Sequence, residues 1–225
     1  MMKKIGRLIL FLIGIILYSV FSSCQQPTSP DTKPKSYTSE FPSTVGSYWK
    51  YVVYDSSFSS GGQFDSVYTD SFLVKLNDVK TISDTQSVET YLYIYSDTTD
   101  TVIVDIRPNK VIMNNAFRSF SSTYLVTISG YYIFPLKVNN GWGKTYPLGG
   151  DTSYVIGEST LTVPAGVFSN VFHIHRSNFQ IGPVSQFNID SWYVSKVGFI
   201  QFEEYQSNGP RSNKTYIKLV QFKIA

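Results

Sequence analysis

The sequence predicts an all-β protein, an antiparallel meander that forms a curved sheet or a half-open β-barrel, with two similar halves as a further expectation. Apolar and polar residues alternate as in half-buried strands, most clearly over residues 153–202. The chain holds 17 Tyr and 16 Phe but only 3 Met, and flat rings pack well on pleated sheets. No helical period follows residue 40, so strands joined by short polar turns account for the pattern.

The N-terminus has the features of an export signal. Lys3, Lys4 and Arg7 precede an apolar run over residues 8–21, and Ser22-Ser23-Cys24 places small residues before the cysteine. This pattern resembles a bacterial lipoprotein signal, which implies a signal peptide over residues 1–23 and a lipidated Cys24 carrying palmitate-type chains. The alternative is a retained anchor helix, although a run of about 14 residues is shorter than the ~20 that span a bilayer.

Residues 24–40 are predicted to be the lipidated cysteine and a tether, and residues 41–225 a single all-β domain. Residues 25–40 are rich in Pro, Ser and Thr, so burial cannot offset their ordering entropy. Gln25 and Gln26 follow the cysteine. An Asp in this place would resemble a signal for retention in the inner membrane. We therefore predict a lipid-anchored cell-envelope protein at the outer membrane, facing the periplasm, with the membrane as its partner.

Charge and cysteine content exclude several functions. The chain has 19 Lys and Arg against 16 Asp and Glu, and removal of the signal takes away three of the basic residues. The mature domain is then formally neutral, which argues against a nucleic-acid partner. The single cysteine, if lipidated, leaves no thiol for a disulfide, a redox pair or a thiolate metal site.

A short motif occurs twice. Residues 41–49 and 134–142 match at Phe, Pro, Val and Trp with identical spacing. We interpret each copy as a Pro-stiffened lead-in that places its Val in the core, followed by a turn and a strand that opens one half of the sheet. Chance similarity is the open alternative.

Strands are expected on both sides of the second copy. In the first half they cover residues 48–54, 67–76, 88–95, 102–106 and 110–113, and a segment over 124–134 crosses to the second half. In the second half, Pro164-Ala165-Gly166 joins strands over 154–163 and 167–175. Ser195-Lys196-Val197-Gly198 joins strands over 187–194 and 199–205, and residues 215–224 close the domain.

His173 and His175 are the two histidines of the chain, and on a strand both project from one face. A His-x-His pair can chelate a metal, but a site needs three or four ligands, and no acidic residue lies nearby in sequence. The alternative is a solvated or pocket-facing position, with Phe172 and Ile174 as core residues on the opposite face.

Tyr91, Tyr93 and Tyr95 share one face of a predicted strand. They are candidate ligand-binding residues, since rings in a half-open barrel can line a cleft for an acyl chain or a sugar. The alternative, which the sequence favours, is that they form core and cross-strand pairs.

Three other patterns give no catalytic residue. Gly143-Lys144-Thr145 lacks the first glycine of a phosphate-binding loop, because Val138 stands there. Residues 157–161 lack the second glycine of a nucleophile elbow. Glu203 and Glu204 are adjacent, so on a strand they point to opposite faces. We predict that the protein is not an enzyme and binds no cofactor.

A family resemblance rests on Thr162 to Phe168, with its VPAG-x-F turn, and on Trp192-Tyr193 followed by Val197-Gly198. These residues resemble motifs of uncharacterised bacterial lipoprotein and secreted domains. The resemblance implies a β-rich fold and no assigned reaction.

Three functions follow as hypotheses. The first is a non-enzymatic envelope lipoprotein that binds an apolar or glycan ligand or another envelope component. The second is a structural or protein-interaction module. The third is a hydrolase or metal-binding protein using His173 and His175, which requires an acidic residue beside them.

Overall fold

The computed structural model describes residues 40–58, 65–114, 130–146, 149–180, 186–208 and 211–225. They form twelve strands: β1 (Tyr48–Phe58), β2 (Asp65–Ser83), β3 (Gln86–Ile94), β4 (Thr99–Arg107), β5 (Lys110–Asn114), β6 (Gly130–Ile133), β7 (Gly141–Tyr146), β8 (Gly149–Val163), β9 (Gly166–Gln180), β10 (Gln186–Val194), β11 (Gly198–Asn208) and β12 (Arg211–Lys223). The predicted all-β meander is confirmed.

All twelve strands belong to one antiparallel sheet that curves into a nearly closed barrel. Each strand pairs with its neighbour in sequence except at one place, and β1 also pairs with β12. The seam lies between β6 and β7, which are not hydrogen-bonded to each other as strands. Across it, the indole Nε1 of Trp142 donates to the carbonyl of Tyr131 at 2.5 Å.

The alternation of the sequence decides which face is buried. On β3, Tyr91 and Tyr93 are buried, whereas Leu92 and Ile94 are only half-buried on the other face. On β9, Ile174 is buried as predicted, and Phe172 is half-buried against the core. The barrel interior is therefore a packed core rich in rings, as in the contact of Phe72 with Tyr51 at 5.1 Å between centroids.

Two turns have the backbone conformations expected from their glycines. Gly166 ends the β8–β9 turn with φ +139°, and Gly198 ends the β10–β11 turn with φ +101°, values that residues with a Cβ rarely adopt. The other predicted strands are present with shifted ends. The predicted crossing segment over 124–134 lies among the described residues only from Gly130 onward, where it forms β6.

The repeated motif builds two equivalent lead-ins, the first over residues 40–47 and the second over 134–140. In the first, Gly46 N donates to the carbonyl of Leu76 at 3.0 Å and Leu76 N donates to that of Ser47 at 2.9 Å. In the second, Asn139 N and Val155 N make the corresponding bonds to Val155 and Asn140.

Each lead-in precedes the first strand of one half, β1 or β7, and bonds to the second strand of that half. The predicted two similar halves, β1–β6 and β7–β12, are thus present.

One expectation about the lead-ins is wrong. Val45 and Val138 were expected to enter the core, but they are 51 % and 41 % exposed. The motif phenylalanines are buried instead, with Phe41 and Phe134 in edge-on contact at 6.3 Å. The reason is the turn at Gly46 and Asn139, which turns the preceding Val outward while the backbone bonds to the adjacent strand.

Candidate functional site

The outer face of β8, β9 and β10 gathers the histidines with four other residues. Strand register places His175 between Tyr154 and Asp190, and His173 between Gly157 and Trp192. Directly opposed residues of antiparallel strands share a face, with Cβ atoms about 4.5–5.5 Å apart. We call this surface the histidine patch; its members are Tyr154, Gly157, His173, His175, Asp190 and Trp192.

Asp190 holds the patch together. Its Oδ1 lies 2.8 Å from Nε2 of His173 and 3.0 Å from Nδ1 of His175. Partial burial raises the pKa of Asp190, but the hydrogen bonds and charges of the two imidazoles outweigh it, so that the pKa lies below its usual value. The carboxylate is therefore ionised at neutral pH and fixes both rings.

Aromatic groups lie on both sides of the imidazoles. The ring of Trp192 stacks on His173 with centroids 4.4 Å apart and an interplanar angle of 17°. On the other side, Tyr154 is 49 % exposed. Its ring lies over Gly141, where a Cβ would come within 2.6 Å of the ring carbons. Because Gly157 has open space above it, the surface between the rings is accessible.

Several chemical roles can be compared for these groups. Among the described residues, no group of three or more His, Cys, Asp or Glu side chains has an arrangement that could hold a metal ion. His175 has the ring orientation of a triad base, with Nδ1 on a carboxylate. Within the described ranges, however, no nucleophile is hydrogen-bonded to its Nε2. What the patch does offer is a fixed carboxylate, polar ring nitrogens and aromatic faces.

The candidate residues Tyr91, Tyr93 and Tyr95 lie inside the barrel, each 7 % exposed or less. Tyr91 and Tyr93 line a cavity of about 40 Å³, or about 400 Å³ of unoccupied space when its opening to solvent is included. Phe41 and Pro42 of the first lead-in form another wall. A cavity of about 40 Å³ holds about three waters, so without rearrangement it is too small for an acyl chain or a sugar.

The hydroxyl of Tyr91, which has one proton to donate, also lies close to two oxygen acceptors. It lies 2.7 Å from Oε2 of Glu89 and 3.1 Å from the carbonyl of Pro42. Glu89 is fully buried, and burial raises its pKa despite hydrogen bonds that lower it. A protonated Glu89 that donates to Tyr91, which in turn donates to Pro42, satisfies this geometry.

A second group of carboxyls lies in the interior. Register aligns Asp55, Thr215 and Glu204 across β1, β12 and β11, and Thr215 donates to Asp55 at 2.6 Å. Glu204 is 7 % exposed, and burial together with the charge of Asp55 raises its pKa to about 7. Glu203 lies on the other face and pairs with Lys214, so the adjacent glutamates point apart as expected.

Sequence reasoning did not identify Asp190, Asp55 or Trp192 as parts of these groups. The signal that was present is strand alternation, because Asp190 and Trp192 share a face of β10. No sequence rule could align β10 with β9 across the intervening residues 181–185. Cys24 and the predicted tether up to residue 39 lie outside the described residues. Within the described ranges, no helix is long and apolar enough to cross a bilayer.

Comparison with known proteins shows no family for this chain. No family model matches the sequence, and no curated protein matches it. Two solved structures are similar. The first, described as a lipoprotein of Parabacteroides distasonis, has a TM-score of 0.47 and 14% identity, covering 81% of this chain and 97% of that one. The second, described as an exported protein with a YmcC-like fold from Bacteroides fragilis, has a TM-score of 0.46 and 13% identity, covering 81% and 98%.

Proposed function

We propose that this chain is a non-enzymatic, lipid-anchored envelope protein that binds a glycan on its histidine patch. The observation that carries the proposal is the shared Asp190 carboxylate, which fixes two imidazoles between a stacked Trp192 and an exposed Tyr154. Sugar hydroxyls need fixed donors and acceptors, and the apolar faces of sugar rings pack on aromatic side chains. The patch presents both on rigid strands, where a binding geometry is held precisely.

The aromatic interior supports this choice indirectly. An enclosed carrier of apolar ligands needs a pocket of roughly 300–1,000 Å³ that buries its ligand. The cavity at Tyr91 and Tyr93 has about 40 Å³ away from its opening. The tyrosines of β3 thus serve mainly to pack the core. An apolar ligand that entered the cavity would have to displace Phe41 and Pro42.

Binding of soluble peptidoglycan fragments and lipopolysaccharide-derived oligosaccharides, measured by isothermal titration calorimetry on the processed full chain in detergent, tests the proposal. We expect Asp190→Asn and Tyr154→Ala each to weaken binding about tenfold or more, because one frees the imidazoles and the other removes the exposed ring. Tyr131→Ala is the matched control, since Tyr131 is a half-buried tyrosine of β6 that packs with Lys110.

Absence of binding by the wild type to both glycan classes, or equal binding by the patch variants, would remove the glycan function. A screen of ester and glycoside substrates with wild type and His175→Ala tests the non-enzymatic part. Equal background rates are expected, and a rate that depends on His175 would revive the hydrolase alternative.

The second candidate function is a protein-interaction module. It is favoured by Ile156, which is 52 % exposed on β8 beside Tyr154. Exposed aromatic and aliphatic residues together are common at protein interfaces. Crosslinking in intact membranes would then recover one persistent partner, whose yield falls in Ile156→Ser. Recovery of the monomer alone argues against this candidate.

A further inference from the structure

The two lead-ins, the hairpin turns β2–β3 and β8–β9 and the end of β12 all lie at one end of the barrel, because the strands alternate in direction. This end, here called the lead-in end, carries exposed aliphatic side chains. Val45 and Val138 occupy the same position in the two lead-ins, and Ile82 and Val167 lie at the two hairpin tips, 52 % and 69 % exposed. Four exposed aliphatic side chains thus lie at one end of the barrel.

Lysines surround the same end. Lys75 and Lys223 pair with Tyr48 from opposite sides, and Lys50 lies two residues further along the same face. All three are exposed, and none forms an ion pair within the described part of the chain. Strands lie about 4.8 Å apart, so the ammonium groups lie within about one Debye length and repel one another.

The balance of charge at this end is positive. Lys80, Lys137 and Lys196 are also exposed there. The exposed acids that the structure describes at the same end are Asp78, Asp84 and Glu158. An apolar surface ringed by excess lysines matches the chemistry of an anionic lipid surface, where acyl chains and phosphates lie next to each other.

The position of Glu40 decides which surface this end meets. The described part of the chain begins there, with the Glu40 carbonyl fixed by Lys196 N at 2.6 Å and by the Tyr193 hydroxyl at 2.8 Å. The predicted lipid anchor at Cys24 is joined to the lead-in end by a segment that reaches about 50 Å when extended. An attached surface has a high effective concentration, so weak contacts are sufficient for docking.

We propose that the lead-in end docks on the anionic lipid surface of the membrane that anchors the protein. Val45, Val138, Ile82 and Val167 enter the interfacial region, while Lys50, Lys75 and Lys223 contact lipid phosphates. The proposal rests on the lipid anchor of the proposed function and is independent of the histidine patch.

The test uses the processed full chain bound to vesicles of phosphatidylcholine with or without phosphatidylglycerol. Fluorophores are attached at Val45→Cys or Val138→Cys, and for comparison at Ser96→Cys, an exposed turn residue at the opposite end of the barrel. A nitroxide-labelled lipid is expected to quench the first two several-fold more strongly than the third, and only when phosphatidylglycerol is present.

The combined variant Lys50→Gln, Lys75→Gln and Lys223→Gln should lower the docked fraction strongly, since each lysine near an anionic surface contributes about fivefold to binding. Lys214→Gln, a partly exposed lysine near the opposite end of β12 from Lys223, is the control and should leave quenching unchanged.

Equal quenching at the two ends in protein that floats with the vesicles overturns docking but leaves the anchor intact. Protein that does not float overturns the anchor and, with it, the docking proposal.

Discussion

At the scale of single residues, Glu204 is the buried acid with the clearest consequence. Burial and the charge of Asp55 raise its pKa to about 7, so the folded state binds its proton more tightly than the unfolded state does. The stability that Glu204 contributes is therefore complete below a pH of about 4.5 and is lost as the pH rises to about 7. The shift corresponds to about 3 kcal/mol of unfolding free energy.

Glu204→Gln removes this loss, because the amide is neutral at every pH. We expect the unfolding free energy of the variant to exceed that of the wild type by about 3 kcal/mol at pH 8 and by little at pH 5. Urea unfolding at the two pH values measures the difference. Glu203→Gln is the control, since Glu203 lies on the outer face with Lys214. A Glu204→Gln difference that is the same at both pH values would contradict the assignment.

Individual residues of the histidine patch were only partly predictable. The spacing of His173 and His175 placed both imidazoles on one face, and the structure shows them there. Asp190 could not be identified, because it follows His175 across the β9–β10 connection and reaches it only if the hairpin register is exact. A shift of one residue would turn Asp190 to the other face. Contacts of this kind depend on register, which local sequence does not specify.

At the scale of elements, the lead-ins depend on one backbone conformation. Gly46 has φ +92° and Asn139 has φ +69°, so both occupy the left-handed side of the map, where Asn is tolerated and other residues with a Cβ are strained. We expect Gly46→Ala to lower the unfolding free energy by about 1–2 kcal/mol. Asn139→Gly should change it by less than about 1 kcal/mol. Denaturant unfolding measures both.

Gly157→Ala is the matched control for this substitution. Gly157 lies outside the left-handed region, and a Cβ there meets open space, so the substitution should stabilise the protein by about 0.4–1 kcal/mol. If Gly46→Ala and Gly157→Ala have the same effect, the lead-in turn is not the constraint that we describe.

The elements also show where sequence patterns fail. Turn chemistry placed the β8–β9 and β10–β11 hairpins correctly, since Gly166 and Gly198 have the positive φ that short turns require. The repeated motif predicted two halves but put Val45 and Val138 on the wrong side. Apolar character alone cannot separate a buried Phe from an exposed Val within one turn, because backbone hydrogen bonds to Leu76 and Val155 set the direction of each side chain.

At the scale of the whole molecule, closure of the sheet was not predictable from sequence. Alternation indicates strands, and their spacing indicates a meander, but closure requires that β1 and β12 meet in register across the whole sheet. That pairing joins residues more than 150 positions apart, such as Tyr54 and Tyr216. The sequence therefore left a curved sheet and a half-open barrel as equal alternatives, and the structure is a barrel that closes at β1–β12 and stays unsealed at β6–β7.

The seam predicts where the barrel opens. Strands β6 and β7 each have one hydrogen-bonded neighbour, so their amides should exchange with solvent faster than those of β1 and β12, which have two. Trp142→Phe removes the indole bond to Tyr131, and loss of about 1 kcal/mol should raise exchange in β6 and β7 about fivefold. Trp49→Phe, which removes the bond from Trp49 Nε1 to Val197, is the matched control and should leave β6 and β7 unchanged. Hydrogen exchange followed by mass spectrometry measures all four strands. Equal protection of β6, β7, β1 and β12 in the wild type would mean that the barrel is sealed in solution. The indole bond of Trp142 would then not be the contact that holds β6 and β7 together.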